Sequence, residues 1–440
     1  MCGIAGIFGS PDAGAVARRM TDAILHRGPD GSGVTPLFDA GGEAAGALGH
    51  ARLSIIDLSA AGDQPMVSAD GRYTLVYNGE IYNYRALREE LLREGAVFRS
   101  ECDSEVLLLG VARHGSDYLR KLRGMFAFVL WDRETATARL ARDPFGIKPL
   151  YLAERGGQVL FASEVRSILA SGRVEGRIDR AAVASYLSAG SVEEPYTLVA
   201  GVRSIPPGTV VEVRVRGGVA SAAAPVPYTR GLWDAPEGPL EADPEAAARR
   251  VRGALRDSVA HHMVSDVPVA FFLSGGIDSS AVVGIAREVA EGELETFTVV
   301  FSEREFDEAP HASAIARRFG TRHHEIPLSG DDMLAALPAA FEAMDQPSMD
   351  GLNTYVVSGG VRAHGIKVVL SGLGGDEIFA GYPSFGRARR FATAVRRALS
   401  LGRGLLLLRH RQGTDHQCRH HCRHRCLHVS HQVFAPTKIG

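Results

Sequence analysis

The sequence predicts two domains of different class: an α+β sandwich of sheets covered by helices, then an α/β doubly wound parallel sheet. Three observations carry that expectation. The first ~200 residues hold short β-type runs separated by turn residues. From about residue 246, helical stretches alternate with short apolar strands. Two glycine-rich loops each follow one of those strands, where a doubly wound sheet places ligands.

In the first region the strand candidates are 73–77, 126–131 and 158–162. Two helical stretches intervene, 84–93 with apolar residues at 87, 91 and 92, and 104–114. Residues 206–245 contain Pro206-Pro207-Gly208, alternating valines and an Ala/Pro/Gly-rich run, and read as an inter-domain connection. Strand candidates in the second region are 269–273, 296–301, 324–328 and 367–370. The expected division is 2–205, 206–245, 246–400 and 401–440. The last part holds seven of the sixteen histidines and three of the five cysteines, with Asp415 as its one acidic residue. It has no usable period and reads as an aberrant, disordered tail, an out-of-frame segment rather than part of the domain before it. Cys418, Cys422 and Cys426, four residues apart, form a weaker zinc-ligand pattern.

Composition narrows the function. A net charge of −2 over 440 residues marks out neither a nucleic-acid partner nor a membrane surface. No apolar run approaches the ~18 residues of a membrane span, and no signal-peptide core follows the start. Five cysteines, unevenly placed, do not make a disulfide framework, so a reducing cytoplasm is expected.

Cys2 follows the initiator methionine. Loss of Met1 places a thiol and an α-amine in one residue, and the mature chain is expected to begin there. An α-amine with an intrinsic pKa of about 7.7–8.0 is a base near neutral pH without help from another side chain. An amidase acting on glutamine also needs a cation for the α-carboxylate, an anion for the α-ammonium and donors for the oxyanion. Arg52 offers the bidentate fork, Asp103 the counter-charge, and Asn78 with the Gly79 N–H the oxyanion hole. Taken singly, these residues read as a surface arginine, a helix N-cap and a hairpin turn.

In the second region, Leu273-Ser274-Gly275-Gly276-Ile277-Asp278-Ser279 follows a strand and opens a helix. Free N–H groups, a positive dipole end and no obstructing Cβ make a phosphate cradle. It lacks the lysine of GxxxxGK(S/T), so γ-phosphate transfer is not favoured, whereas Asp278 suits Mg2+ on a pyrophosphate leaving group. The second loop, Ser371-Gly372-Leu373-Gly374-Gly375-Asp376, follows strand 367–370, and Asp376 is a second candidate for Mg2+. Val299, near the end of strand 296–301, is placed to meet an adenine through its backbone.

With Cys2, Arg27-Gly28-Pro29-Asp30, Tyr77-Asn78-Gly79-Glu80 and Arg142 to Tyr151 together, the first ~200 residues closely resemble a class II glutamine amidotransferase domain, an N-terminal-nucleophile hydrolase with an αββα sandwich. The resemblance implies Cys2 as nucleophile, with Arg52, Asn78, Gly79, Glu80 and Asp103 around glutamine. The Ser274–Ser279 string resembles the PP-loop of ATP pyrophosphatases. In this order the halves resemble the glutamine-hydrolysing asparagine synthetase family, shortened or frameshifted at the C-terminus. That implies ATP as substrate, Mg2+, glutamine, and aspartate or a related carboxylate as acceptor, with a homodimer as the candidate assembly and amide, AMP and pyrophosphate as products (EC 6.3.5.4 type). Two residues depart from the family: Leu373 and Gln346 stand where glutamates are expected. They leave open a non-aspartate acceptor in surface-polysaccharide or secondary metabolism, or a glutaminase with a dead synthetase half.

Overall fold

A computed structural model of the protein describes residues 1–229, 241–301 and 308–393. Its first domain is a four-layer αββα sandwich. In one sheet Gly3–Phe8 runs antiparallel between Ala44–Arg52 and Gln158–Ala162. The other sheet is built on Tyr73–Ile81, Gly124–Asp132 and Thr137–Arg142, successive antiparallel neighbours. Every residue of Gly3–Phe8 is buried, because both faces of the strand are covered. Side chains alternate: Ile4 and Phe8 face the second sheet with Val76, Val129 and Trp131, while Ala5 and Ile7 face the helices with Val16, Met20 and Ile168. Helices Tyr84–Arg93 and Asp103–His114 cover the other side, setting Leu87, Leu91, Val106 and Leu107 on Leu75, Phe126 and Phe128. The expected strands and helices of this half are present, within four residues at each end.

The expected connection over 206–245 is corrected by the sheet itself. Thr209–Arg216 pairs antiparallel with Thr137–Arg142, and its alternate residues Val211, Val213 and Val215 are buried between the sheets. Val226–Pro227 pairs on the same strand, and the buried Tyr228 donates its hydroxyl proton to the Arg142 carbonyl at 2.9 Å. The alternating valines are a strand signature set among Pro- and Gly-rich surroundings that suggest a linker.

The second domain contains a four-stranded parallel sheet in the spatial order Arg322–Leu328, Glu295–Phe301, Val269–Phe272, Val368–Leu370. Pro244–His262, Ile277–Val289 and Ala309–Phe319 cover one face, and Gly351–Arg362 contributes Val361 to the other. The chain winds outward from Val269–Phe272 in one direction, then returns to its opposite side, so the topological switch point lies between that strand and Val368–Leu370. The two domains meet through Asp57 N–H on Asp266 (2.8 Å), Lys367 on Asp30 (2.8 Å) and a ring contact of Tyr82 with His262 at 4.2 Å. Among the described residues no helix is long and apolar enough to cross a membrane. The expected tail and its Cys418, Cys422 and Cys426 lie outside the described residues.

Candidate active site

Cys2, Arg52, Asn78, Gly79, Glu80 and Asp103 all line one cavity of about 50 Å³. They come from separate parts of the first domain, and strand pairing brings them together. The Cys2 Sγ accepts the Leu53 N–H at 3.3 Å, and the Cys2 carbonyl accepts Arg27 Nε at 3.0 Å.

Asn78 and Gly79 do not form a turn. They sit inside Tyr73–Ile81, paired with Ala127 and Phe126. A Cβ on Gly79 would run into the Met125 carbonyl and lie 2.7 Å from Phe126 Cα, so only glycine fits this register. Backbone groups of alternate residues point to the same strand edge. On that edge the Tyr77 N–H is taken by Gln64 and the Ile81 N–H by Asp103, which directs the Gly79 N–H to the same side between them. Asn78 is buried, and its Nδ2 has no hydrogen-bond partner among the described residues. Two donors thus face the cavity beside the thiol.

Arg52 is buried rather than a surface arginine. Its guanidinium is oriented by the Ser59 carbonyl (2.7 Å), the Asp63 carboxylate (2.7 Å) and the Asp57 carbonyl (2.5 Å). Asp103 is the first residue of its helix, with Cys102 in the N-cap position. Asp103 Oδ2 accepts from Tyr77 OH (2.8 Å) and Ile81 N–H (2.9 Å), yet burial pushes its carboxyl up to about 6. A carboxylate so desolvated has a strong demand for a cation.

Lys148, which the sequence does not single out, also lines this cavity. Its Nζ lies 3.2 Å from Met1 Sδ, and burial, with the Arg27 charge adding, pushes its ammonium down to about 8. The signal was in the quoted Arg142–Tyr151 stretch. Asp143 there accepts the N–H groups of Phe145, Ile147 and Lys148 at 3.0 Å, and Arg142 Nε donates to the Lys148 carbonyl at 2.9 Å. This folds the loop so that Lys148 turns inward.

The second group of candidates gathers at the switch point. Gly276 caps the helix Ile277–Val289, and Gly275 has φ +79°, a conformation glycine adopts freely. Ser274 Oγ and Ser279 Oγ are 3.1 Å apart across the loop. The Ser371–Asp376 loop packs directly on this one: a Cβ on Gly372 would lie 2.7 Å from Ser279 N, and one on Gly375 would strike the Asp278 carboxylate. Burial, then the charges of Asp376 and Glu377, raise the Asp278 carboxyl. Carboxylates that repel one another are a donor set a hard cation relieves, and Asp278 and Asp376 fit Mg2+ on that ground. No cluster of three or more His, Cys, Asp or Glu side chains is set for a metal among the described residues. Leu273 donates its N–H to the Phe297 carbonyl at 2.8 Å. Two residues on, Val299 directs its amide and carbonyl to that same edge, beyond the end of Val269–Phe272.

Gln346, which stands where a glutamate is expected, lies at the domain boundary. Its Oε1 accepts the Leu198 N–H at 2.9 Å, and its Nε2 donates to the Asp345 carbonyl at 2.7 Å. The side chain is engaged at the domain boundary, where a glutamate could make only the first of these bonds. Leu373 is exposed.

Cys2 beside the Asn78 amide and the Gly79 N–H on an αββα sandwich, followed by a doubly wound sheet with a phosphate-type loop, has the layout of a two-domain amidotransferase. Family models agree in both halves: a glutamine amidotransferase domain matches residues 1–222, and asparagine synthase matches 250–431. The chain is 38% identical to glutamine-hydrolyzing asparagine synthetase 1 of Bacillus subtilis, covering 87% of this chain and 59% of that one. It is 39% identical to a putative asparagine synthetase of Mycobacterium tuberculosis (87% and 60%) and 34% identical to putative asparagine synthetase 2 of Methanocaldococcus jannaschii (87% and 76%). The chain belongs to the glutamine-hydrolysing asparagine synthetase family. It spans about 60% of the length of the Bacillus and Mycobacterium relatives.

Proposed function

We propose that this chain performs glutamine-dependent, ATP-consuming amide synthesis, with aspartate as the acceptor and asparagine, AMP and pyrophosphate as products. The convergence of Cys2, Arg52, Asn78, Gly79, Glu80 and Asp103 on one cavity carries the reading. Glutamine binds with its α-carboxylate on Arg52 and its α-ammonium on Asp103. The Cys2 thiol gives its proton to the α-amine freed by loss of Met1, and Sγ attacks the carboxamide carbon. Asn78 Nδ2 and the Gly79 N–H hold the oxyanion. Collapse expels ammonia, which takes up the proton, and water then hydrolyses the thioester to glutamate.

In the second domain, Ser274, Gly275, Gly276, Ser279, Ser371 and Gly372 cradle the phosphates of ATP, and the backbone of Val299 meets the adenine. The acceptor carboxylate attacks the α-phosphorus, pyrophosphate leaves, and ammonia displaces AMP from the acyl-adenylate. Bound at Asp278 and Asp376, Mg2+ would neutralise the charge of the leaving pyrophosphate. A reducing cytoplasm suits a nucleophile that must remain a free thiol, and Cys2 and Cys102 are both free.

Glutamate and pyrophosphate release, measured together with aspartate present or omitted, tests the scheme. Coupled release of both, with AMP rather than ADP, is expected. Glutamate formation with no aspartate-dependent pyrophosphate would reduce the protein to a glutaminase, and robust pyrophosphate release with another carboxylate would reassign the acceptor.

A further inference from the structure

Charged side chains form a continuous chain of contacts from the backbone of Cys2 to the second domain. Arg27 Nε donates to the Cys2 carbonyl at 3.0 Å, and Arg27 Nη1 donates to Glu164 Oε1 at 2.8 Å. Glu164 Oε2 forms an ion pair with Arg166 Nε at 3.0 Å, a charge contact without hydrogen-bond alignment. Beyond the domain boundary, Asp345 accepts the N–H groups of Val165 (2.7 Å) and Arg166 (2.9 Å) and lies 3.5 Å from Arg166 Nε. The side chains of Arg27, Glu164 and Asp345 are only 9%, 8% and 14% exposed, so solvent screens the Arg27–Glu164 contact little, while Arg166 is 31% exposed.

Each link has a physical role. Asp345 sits at the start of the short helix Val165–Ala170, where its carboxylate satisfies two orphan amides. Burial alone would raise the Glu164 carboxyl, but the hydrogen bonds from His26 and Arg27 outweigh it and hold it down to about 2. Arg27 is therefore tethered by a charge that stays on across the working pH range. The residues that hold glutamine, Arg52 and Asp103, lie on other elements.

We propose that Asp345 is a positioning residue for the Cys2 nucleophile, acting across the domain boundary through Arg166, Glu164 and Arg27, so that glutamine hydrolysis depends on how the second domain is seated. The inference rests on Cys2 being the glutaminase nucleophile. Seating Asp345 fixes the start of the helix, hence Glu164, hence Arg27 and the carbonyl one bond from the Cys2 Cα. Small displacements of a nucleophile cost rate rather than substrate affinity.

The test uses the full chain with Asp345→Ala, Asp345→Asn, Glu164→Gln and the Asp345→Ala/Glu164→Gln pair. Arg123→Ala is the control, because it breaks a different, exposed domain contact to Asp257. Glutamine kcat and KM are measured beside the rate at which iodoacetamide alkylates Cys2, read by mass spectrometry. Asp345→Ala is expected to lower kcat about tenfold and slow alkylation in step, with KM within about twofold. Asp345→Asn, which keeps one capping acceptor, falls between. The double variant is no worse than the more impaired single one, since both break the same chain. A loss in KM alone, an equal loss in Arg123→Ala, fully additive losses, or unchanged kcat and alkylation would each overturn the proposal. If the wild type hydrolyses no glutamine, the glutaminase reading fails instead. Slowed Cys2 alkylation in Asp345→Ala would then still support the positioning, and an unchanged rate would overturn it.

Discussion

The two candidate sites are built from different materials. Around Cys2, the recognition groups are buried side chains, each oriented by a named partner: Arg52 by the 57–63 loop, Asp103 by Tyr77 and Ile81. At the switch point the candidate recognition groups are main-chain amides of two closely packed glycine loops, and the side chains nearby are carboxylates that repel one another. The first site suits a small zwitterion whose two charges need fixed counter-charges at fixed places. The second suits a polyanion, which oriented N–H dipoles bind and which brings its own cation. The contrast teaches that the candidate glutamine site is set by packing, and the candidate phosphate site by loop conformation.

The strongest way to break this comparison is at the nucleophile. Cys2→Ala is expected to lower glutamine hydrolysis by roughly 10⁴-fold or more, while pyrophosphate release driven by added ammonium persists. Intact mass of the active wild type should show Met1 lost, and an active chain that retains Met1 would exclude the α-amine as base. Next, Asn78→Ala should cut kcat for glutamine by about 10²–10³-fold with little change in KM. A defect confined to KM would make Asn78 a binding residue only. In the other domain, Asp278→Ala or Asp376→Ala should lower AMP and pyrophosphate formation by about 10²-fold and spare glutamate release. ADP as product, or near-normal pyrophosphate, would refute the assignment.

The smallest effect is on stability, and its sign is opposite to that on function. Burial pushes the Asp103 carboxyl up to about 6 in the folded chain from an ordinary 3.8, so the native state binds the extra proton between those values. Its ionised form therefore destabilises the fold at pH 7, by roughly 3 kcal/mol, and the penalty fades as pH falls through 6 towards 4. Asp103→Asn should raise stability at pH 7–8 by up to about 2 kcal/mol, flatten the pH dependence between about pH 4 and 6, and lose glutamine binding. Thermal melts at pH 4 and pH 8 check it. A destabilised Asp103→Asn at pH 8 would show that the buried carboxylate is a structural anchor instead.

Much of this was legible in the chain because it depends on local chemistry. Period-2 and period-3.6 patterns placed Gln158–Ala162 and Tyr84–Arg93 correctly, and a loop between strand and helix with two glycines declares itself. What the chain alone does not disclose depends on partners distant in the sequence. Asn78-Gly79 looks like a turn until Phe126 lies beside it. Residues 206–227 look like a linker until Thr137–Arg142 offers an edge. Lys148 is an ordinary lysine until Asp143 curls its loop inward.

The sequence by itself determined the order of the two fold classes, a cysteine that methionine removal makes N-terminal, and the phosphate-type loop, since residue type and near neighbours suffice for each. Tertiary structure decided that Arg52 and Asp103 face one cavity, that Gly79 tolerates no Cβ, and that Gln346 bonds to Leu198 across the domain boundary. Those outcomes rest on strand register and on which buried polar groups find partners, and both are settled only when segments far apart in the chain pack together.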